Sequence, residues 1–312
     1  MNIWITVGLF ILGIILTIKG GDLFVDASSW IAEVSGIPKF VIGATIVSLA
    51  TTLPEMLVSI FAAAEGKVDM AIGNAVGSVT ANCGLILAIA LIFMPIVFDR
   101  KKNWPKAALL IAAMALLWVC SLSGSFGWVG TMLLIVVVVL YIIESLHSAR
   151  QEESRSEKVS ATGKEKAINV GKFLIGAAAI VGGSQLLVNS GSDLAKWLGV
   201  PERVIAVTLV AVGTSLPELV TTLTAISKKQ ASLSVGNIIG ANIIDLSLIL
   251  PLCALVSGGS LPVAAQSLAV DFPACMLLLL IGLVPLLFRQ KGAKLQGIIM
   301  LAIYAGYLVI VL

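Results

Sequence analysis

Long apolar runs alternate with short polar segments along almost the whole chain. A membrane-spanning helix needs about 20 apolar residues, and the runs are long enough to supply ten such helices. The predicted spans are 2–30, 38–64, 69–97, 104–122, 126–147, 168–197, 202–227, 232–257, 265–288 and 293–312. The first and sixth runs exceed the thickness of a bilayer, which predicts tilted helices. The pattern therefore predicts an all-α integral membrane protein with ten transmembrane helices.

Composition supports this class and excludes others. The 312 residues are 59% hydrophobic and only 12% charged, whereas a soluble domain carries about 25% charged residues. A net charge of +3 does not indicate nucleic-acid binding. The four cysteines form no CxxC pair and there is a single histidine, so a transition-metal site is not predicted. The apolar N-terminus lacks a basic region and a cleavage site, and we interpret it as a retained first span.

The positions of lysine and arginine predict the orientation in the membrane. Sixteen of these residues lie in or near one set of alternate loops and three in the other set. The positive-inside rule then places both termini outside. The strongly polar segment 148–167 is predicted to be a cytoplasmic linker between two halves, 1–147 and 168–312. The expected location is a multi-pass position in the cell membrane.

An internal repeat relates the two halves. Residues 36–55 (GIPKFVIGATIVSLATTLPE) resemble residues 199–218 (GVPERVIAVTLVAVGTSLPE) at an offset of 163. The same offset aligns Gly73 and Asn74 with Gly236 and Asn237, and Gly77 with Gly240. Because each half holds five spans, an odd number, the second copy must be inverted. The sequence thus predicts two inverted five-helix repeats, an architecture typical of transporters with a substrate site near the bilayer midplane. The four glycines are expected to let helices approach closely.

Two carboxylates lie inside predicted spans at repeat-related positions, Glu55 and Glu218. A charged group in the membrane is costly, so it indicates function. Each follows a proline, which cannot donate a helical hydrogen bond and disturbs the preceding turn. Carbonyl groups around Thr51 and Thr214 should therefore be partly freed, and such carbonyls beside a carboxylate are ligands for a hard cation.

Helical spacing adds further oxygen atoms to the same faces. These positions are Ser48, Thr51 and Thr52 beside Glu55; Ala211, Thr214 and Ser215 beside Glu218; and, in the following spans, Asn74, Ser78 and Asn82, matched by Asn237, Ala241 and Asp245. Carboxylate, hydroxyl, amide and carbonyl oxygens suit Ca²⁺ or Na⁺ and not copper, zinc or nickel. Competition of the two ions for shared carboxylates would explain exchange. Asp22, Asp26 and Glu33 are interpreted as interfacial or cavity-lining.

The paired motifs, TTLPE with GNAVGSVTAN and GTSLPE with GNIIGANIID, resemble those of the calcium/cation antiporter superfamily, most closely its prokaryotic sodium/calcium exchangers. The resemblance covers 36–90 and 199–253. It implies that Glu55 and Glu218 bind Ca²⁺ together with the carbonyls of Thr51 and Thr214. It implies Na⁺ sites that use the hydroxyls of Thr52, Ser215 and Ser78 and the backbone at Ser48 and Ala211, with Asn82 and Asp245 flanking the centre. It also implies that the first and sixth helices slide over the remaining bundle.

Three departures from the family pattern and several alternatives remain at this point. Thr52 stands where the family often has a serine, which keeps the hydroxyl. Ala241 stands where the family has a serine hydroxyl, which predicts a weaker Na⁺ site, and Val79 stands where an asparagine is frequent. Proton-coupled calcium exchange and K⁺-dependent sodium/calcium exchange are the alternatives within the superfamily; the hydroxyls of Thr52 and Ser215 favour Na⁺. An intramembrane enzyme lacks its catalytic residues here, and an inverted repeat suits alternating access better than a passive channel. No cofactor, nucleic acid or obligatory protein partner is expected besides the lipid bilayer and the transported ions.

Overall fold

A computed structural model describes residues 3–94, 96–153, 161–199, 213 and 215–311, almost all of them helical. The α-helices are α1 Ile3–Ser35, α2 Lys39–Ile42, α3 Ser48–Thr51, α4 Leu53–Ala64, α5 Val68–Ala81, α6 Ala88–Phe93, α7 Arg100–Ser121, α8 Trp128–Glu153, α9 Gly163–Trp197, α10 Leu216–Ser227, α11 Ala231–Ile244, α12 Leu250–Val256, α13 Phe272–Arg289 and α14 Lys294–Val311. Four π-helical turns interrupt or precede them, at Gly43–Val47, Asn82–Leu87, Asp245–Ile249 and Ser267–Asp271.

The predicted all-α membrane architecture is confirmed. Within the described residues, eight helices are long and apolar enough to cross a bilayer, and the segments Lys39–Thr51 and Leu53–Ala64 form a ninth, bent by 46° at their junction. The two longest helices, α1 with 33 residues and α9 with 35, correspond to the first and sixth runs, which were predicted to exceed the bilayer thickness. The predicted span 202–227 lies largely outside the described residues, which include its end as α10.

Short backbone pairings join loops that the topology predicts on the same side of the membrane. Strand β1 (Ser125–Phe126) pairs antiparallel with β2 (Leu261–Pro262), and both belong to segments predicted outside. At the other side, Val97 forms an isolated bridge with Lys291. These contacts agree with the predicted alternation of loops.

The first helices of the two halves, α1 and α9, cross through glycines. A Cβ atom at Gly13 would lie 3.0 Å from the carbonyl oxygen of Gly183, and one at Gly20 would lie 3.0 Å from that of Gly176. Small residues allow such close backbone approach in membranes. Since the residue number rises along one helix as it falls along the other, the helices are antiparallel, as an inverted repeat requires.

A second close crossing brings α11 against the start of the second span. A Cβ atom at Gly236 would collide with the carbonyl of Phe40, and one at Gly240 would collide with that of Ala44. The expectation of close approach is confirmed at these glycines. For their repeat partners Gly73 and Gly77 it stays a prediction, because the residues that correspond to Phe40 and Ala44, at 203 and 207, lie outside the described residues.

The acidic residues of α1 are paired with lysines. The Lys228 ammonium, one residue beyond the end of α10, lies 2.7 Å from Asp26 Oδ2 and 3.4 Å from Asp22 Oδ1. Glu33 pairs with Lys39 at 3.0 Å. These partly exposed ion pairs lie at the end of α1 that is predicted inside, which supports the interfacial interpretation.

The polar segment 148–167 is helical at its described ends, since α8 runs to Glu153 and α9 begins at Gly163. The start of α9 is closed by a capping box. The Thr162 backbone N–H donates to Glu165 Oε2 at 2.8 Å, and this bond lowers the pKa of the Glu165 carboxyl group. The reciprocal bond runs from the Glu165 N–H to Thr162 Oγ1 at 3.3 Å.

A buried ion pair joins α7 to α8. Lys106 is 1% exposed and pairs with Glu144. Its ammonium also lies 5.8 Å from the centre of the Phe40 ring, and it donates to Ser148 Oγ at 3.3 Å. Ser148 in turn donates to Glu144 Oε1 at 2.7 Å. The cluster therefore ties the α7–α8 hairpin to the start of α2.

We expect Glu144→Gln to destabilise the protein by about 3–5 kcal/mol, because it leaves the Lys106 charge buried without its counter-charge. The double variant Lys106→Met/Glu144→Leu should recover most of this loss, since it removes both charges. Thermal unfolding of the purified protein in detergent measures both. Equal melting temperatures for the single and double variants would contradict the assignment of a buried ion pair.

Candidate cation site

Two helix breaks of matching geometry come from the two halves. Thr52 and Ser215 directly precede α4 and α10, and both have φ of −84°. Pro54 and Pro217 occupy the first turns that follow, where a proline without an N–H is tolerated. Pro54 also leaves the Ala50 carbonyl without its usual helical donor. The repeated Leu-Pro-Glu sequence thus starts a helix at each position, and at the first of them α3 ends directly before it.

Each break places a carboxylate in the first turn of the new helix. Glu55 and Glu218 are both 1% exposed. The positive end of a helix dipole favours negative charge at this position. The Thr52 hydroxyl donates to Glu218 Oε1 at 3.2 Å, and the Ser215 hydroxyl lies beside the Glu55 carboxyl group. The hydroxyl of each half therefore faces the carboxylate of the other.

Buried oxygen atoms with no hydrogen-bond partner among the described residues concentrate here. They are both oxygens of Glu55, Oε2 of Glu218, both oxygens of Asp245, Oδ1 of Asn82 and the hydroxyls of Ser78 and Ser215. Burial of a polar atom without a partner costs about 1–3 kcal/mol, and more for a charge. A bound cation would satisfy several of these atoms at once.

The cation would not be held by acidic side chains alone. Within the described part of the chain, no group of three His, Cys, Asp or Glu side chains is arranged to hold a metal ion. A site here must combine the two glutamates with hydroxyl, amide or backbone oxygens. Such mixed oxygen sets are used for Ca²⁺.

The Asn82 side chain is oriented by a residue that sequence reasoning missed, Asn242. Asn82 Nδ2 donates to Asn242 Oδ1 at 2.9 Å, and Asn242 Nδ2 donates to Cys83 Sγ at 3.3 Å. With its amino group held, Asn82 presents Oδ1 as the free acceptor. The signal was present in the sequence, since Asn242 lies three residues before Asp245 and so shares its helix face.

Asn82 and Asp245 occupy corresponding positions in the backbone as well. Each is the first residue of a π-helical turn, Asn82–Leu87 and Asp245–Ile249. Single π-helical turns inside α-helices are frequent at functional sites. The sequence predicted Asn82 and Asp245 as site residues, but it did not predict the π-helical turn that begins at each of them.

Two further asparagines contact the two sides of the first break. Asn74 Nδ2 donates to the Glu55 carbonyl at 3.2 Å and to Ser59 Oγ at 2.9 Å. Its repeat partner Asn237 accepts from Thr51 Oγ1 at 3.3 Å through Oδ1. Asn74 therefore connects α5 to α4, and Asn237 connects α11 of the other half to α3.

The remaining predicted ligands differ in their surroundings. The Ser48 carbonyl already accepts the Thr52 N–H at 2.9 Å and the Thr51 hydroxyl at 3.3 Å. The Ser48 hydroxyl donates to the Thr45 carbonyl at 3.0 Å. Thr214 and Ala211 lie outside the described residues. The structure thus brings together Glu55, Glu218, Thr52 and Ser215 most directly.

A cavity of about 520 Å³ lies beside the site. Pro54 and Pro217 line it at the starts of α4 and α10, and Ser78 lines it from α5. Gly73 and Gly77 also lie on its wall. The repeat places residues 203 and 207, which lie outside the described residues, next to these two glycines.

Comparison with known proteins agrees with the resemblance found in the motifs. The family model described as sodium/calcium exchanger protein matches residues 5–146 and 168–312. The sodium/calcium exchanger MaX1 of Methanosarcina acetivorans is 30% identical, with 97% of each chain covered. The inner membrane protein YrbG of Escherichia coli is 32% identical over 83% of this chain and 82% of its own length.

A solved structure shares the fold. The sodium-calcium exchanger NCX_Mj, soaked with Na⁺ and Sr²⁺, superposes with a TM-score of 0.82 at 31% identity, covering 97% of both chains. The family match, over residues 5–146 and 168–312, includes the positions of Glu55 and Glu218. The chain therefore belongs to the sodium/calcium exchanger protein family.

Proposed function

We propose that this protein is a secondary antiporter that exchanges Na⁺ for Ca²⁺ across the membrane by alternating access. The observation that carries the proposal is the pair of buried, repeat-related carboxylates, Glu55 and Glu218, with three of their four oxygens unpartnered among the described residues. Two unpaired carboxylates at this depth are too costly without a counter-charge. One Ca²⁺ would neutralise both.

In this proposal Glu55 and Glu218 bind Ca²⁺ together with the carbonyls of Thr51 and Thr214. The Na⁺ ions bind to the same two carboxylates when Ca²⁺ is absent. Their further ligands are the hydroxyls of Thr52, Ser215 and Ser78 and the backbone at Ser48 and Ala211, with Asn82 and Asp245 flanking the centre. The Ser48 carbonyl already accepts from the Thr52 N–H, and the Thr52 hydroxyl already donates to Glu218. Na⁺ binding would replace some of these hydrogen bonds.

Exchange follows from competition for the shared carboxylates. Without a bound cation the two carboxylates leave an uncompensated negative charge in the membrane. Each ion therefore leaves only when the other can take its place. If three Na⁺ exchange for one Ca²⁺, one charge moves per cycle and each 100 mV contributes about 2.3 kcal/mol. Ala241, which lacks the hydroxyl expected at that position, should weaken one Na⁺ site.

We also propose that both termini lie outside and that 1–147 and 168–312 act as two inverted halves joined by the linker 148–167. The proposal rests on the distribution of basic residues and is supported by the loop pairings described above.

The test is uptake of ⁴⁵Ca²⁺ into proteoliposomes loaded with Na⁺, with matched vesicles that carry a pH gradient and no Na⁺, and with K⁺ present or omitted. We expect uptake that requires internal Na⁺. Uptake driven by the pH gradient alone would assign proton coupling, and uptake that needs K⁺ would assign the K⁺-dependent variant. Absence of calcium flux under every gradient would overturn the calcium assignment.

Asn242→Leu should lower the apparent Ca²⁺ affinity about tenfold, because residues that orient a metal ligand commonly contribute 10–100-fold in affinity. The substitution removes the acceptor that fixes the Asn82 amide, while the maximal rate changes little. Concentration dependence of ⁴⁵Ca²⁺ uptake measures both parameters. Asn169→Leu, which removes a partly exposed asparagine that donates to the Glu165 carbonyl within its own helix, is the control. Equal affinities of the Asn242 variant and the parent would contradict the assigned role.

A further inference from the structure

The second span contains a π-helical turn, Gly43–Val47, directly before α3. The Ser48 N–H donates to the Gly43 carbonyl, five residues back, and also to the Thr45 carbonyl. In an α-helix this N–H would donate to the carbonyl of Ala44, four residues back. The π-helical turn therefore deprives the Ala44 carbonyl of its α-helical donor, and a buried carbonyl needs a partner.

A tyrosine on α8 supplies the missing donor. The Tyr141 hydroxyl donates to the Ala44 carbonyl, and both residues are buried, Tyr141 to 3% exposure. Gly240 of α11 approaches the same carbonyl. The carbonyl displaced by the π-helical turn is thus enclosed between a helix of its own half and a helix of the other half.

The repeat places a second tyrosine at the corresponding position of the other half. The offset of 163 relates Tyr141 to Tyr304, and these are two of the three tyrosines in the chain. Tyr304 is also buried, and it lies against Gly84 in the π-helical turn Asn82–Leu87. The residue that corresponds to Ala44, at 207, lies outside the described residues. A tyrosine at both positions indicates a role that the two halves share.

The π-helical turn determines the direction in which the following side chains point. It holds one residue more than an α-helical turn, and one residue corresponds to about 100° of rotation in an α-helix. After the turn, the Thr51 hydroxyl donates to Asn237 Oδ1 at 3.3 Å. The Thr52 hydroxyl donates to Glu218 Oε1 at 3.2 Å. If the turn relaxed to α-helical geometry, both threonines would rotate away from these partners.

We propose that Tyr141 is a positioning residue for the cation site, whose hydroxyl maintains the π-helical turn Gly43–Val47 and thereby holds Thr51 and Thr52 toward the centre. Tyr141 itself binds no ion. Its effect on transport rests on the proposed exchange function, whereas its effect on the turn does not. The proposal gives α8, which supplies no ligand, a part in ion affinity.

Tyr141→Phe removes the hydroxyl and retains the ring. We expect the KM for Ca²⁺ in Na⁺-dependent uptake to rise about tenfold, the usual scale for a residue that orients a metal ligand, with little change in the maximal rate. Thr131→Val is the control, because it removes a buried hydroxyl of the same helix that donates to the Gly127 carbonyl within that helix. A KM for Tyr141→Phe equal to that of the parent would overturn the proposal.

A donor at the same place on the ring should restore the affinity. Replacement of Tyr141 by 4-aminophenylalanine retains an N–H that can donate to the Ala44 carbonyl. We expect this variant to have the KM of the parent. A KM equal to that of Tyr141→Phe would show that the hydrogen bond does not set the affinity, and would overturn the proposal.

Amide deuteration tests the turn without any measurement of transport. In Tyr141→Phe we expect peptides that cover residues 43–52 to take up deuterium about fivefold faster, because the turn loses a stabilising hydrogen bond. Peptides from α13 should not change. Unchanged deuteration of residues 43–52 would overturn the role of Tyr141 in the turn. If the parent shows no Ca²⁺ uptake but the deuteration result is as expected, the exchange function fails and the role in the turn stands.

Discussion

Glutamine at position 55 or 218 is expected to abolish Na⁺-dependent Ca²⁺ uptake. The substitution retains shape and one carbonyl oxygen but removes one of the two negative charges that would balance Ca²⁺. Loss of one partner in a buried charge pair costs about 3–5 kcal/mol, which corresponds to a fall in Ca²⁺ affinity of about a hundredfold or more. The measurement is ⁴⁵Ca²⁺ uptake into Na⁺-loaded proteoliposomes, with ⁴⁵Ca²⁺ binding to the purified protein as an independent readout.

Glu65→Gln is the matched control for these variants. Glu65 lies just beyond the end of the same helix, α4, but is exposed and pairs with Lys67 at 2.6 Å. The same chemical change at this position should leave uptake unchanged. Full transport by either Glu55→Gln or Glu218→Gln would remove the central site from the proposed mechanism.

Alanine at position 236 is expected to destabilise the protein by about 3 kcal/mol, the upper range for overpacking in a close-packed interior. A single methyl group there would collide with the Phe40 backbone carbonyl, which cannot rotate away as a side chain can. To accept it, α11 must move away from α2. Thermal unfolding and the yield of monodisperse protein in detergent measure the effect.

The control is Gly182→Ala on α9, where an added Cβ meets no described atom within 4 Å. Because alanine has the higher helix propensity, this variant should be as stable as the parent or slightly more stable. Equal stability of Gly236→Ala and Gly182→Ala would contradict the close crossing of α2 and α11.

Sequence reasoning reached the spans and the two glutamates because their signals are local. Apolar run length predicts helices, and the repeated Leu-Pro-Glu predicts a break with a carboxylate beside it. The Lys106–Glu144 pair and the Asn82–Asn242 bond were not predicted. Both depend on which faces of distant helices meet, and helical spacing alone does not specify that.

The glycines show a different kind of limit. The repeat predicted close approach at Gly236 and Gly240, and the structure shows that they approach the backbone carbonyls of Phe40 and Ala44. For Gly73 and Gly77 the corresponding residues, 203 and 207, lie outside the described residues. A glycine pattern thus predicts a close crossing but does not specify which helix supplies the opposing backbone.

The α1–α9 crossing also bears on how such a chain can be assembled. Gly13 approaches Gly183 and Leu187, while Gly176 approaches Gly20 and Phe24, and each of these contacts maps onto the other at the offset of 163. The surface is thus self-complementary in the same sense as the interface of a two-fold symmetric dimer. Two polypeptides divided between Glu153 and Gly163 would retain this interface whole. A single half, inserted in both orientations, would present the same surface to a second copy of itself.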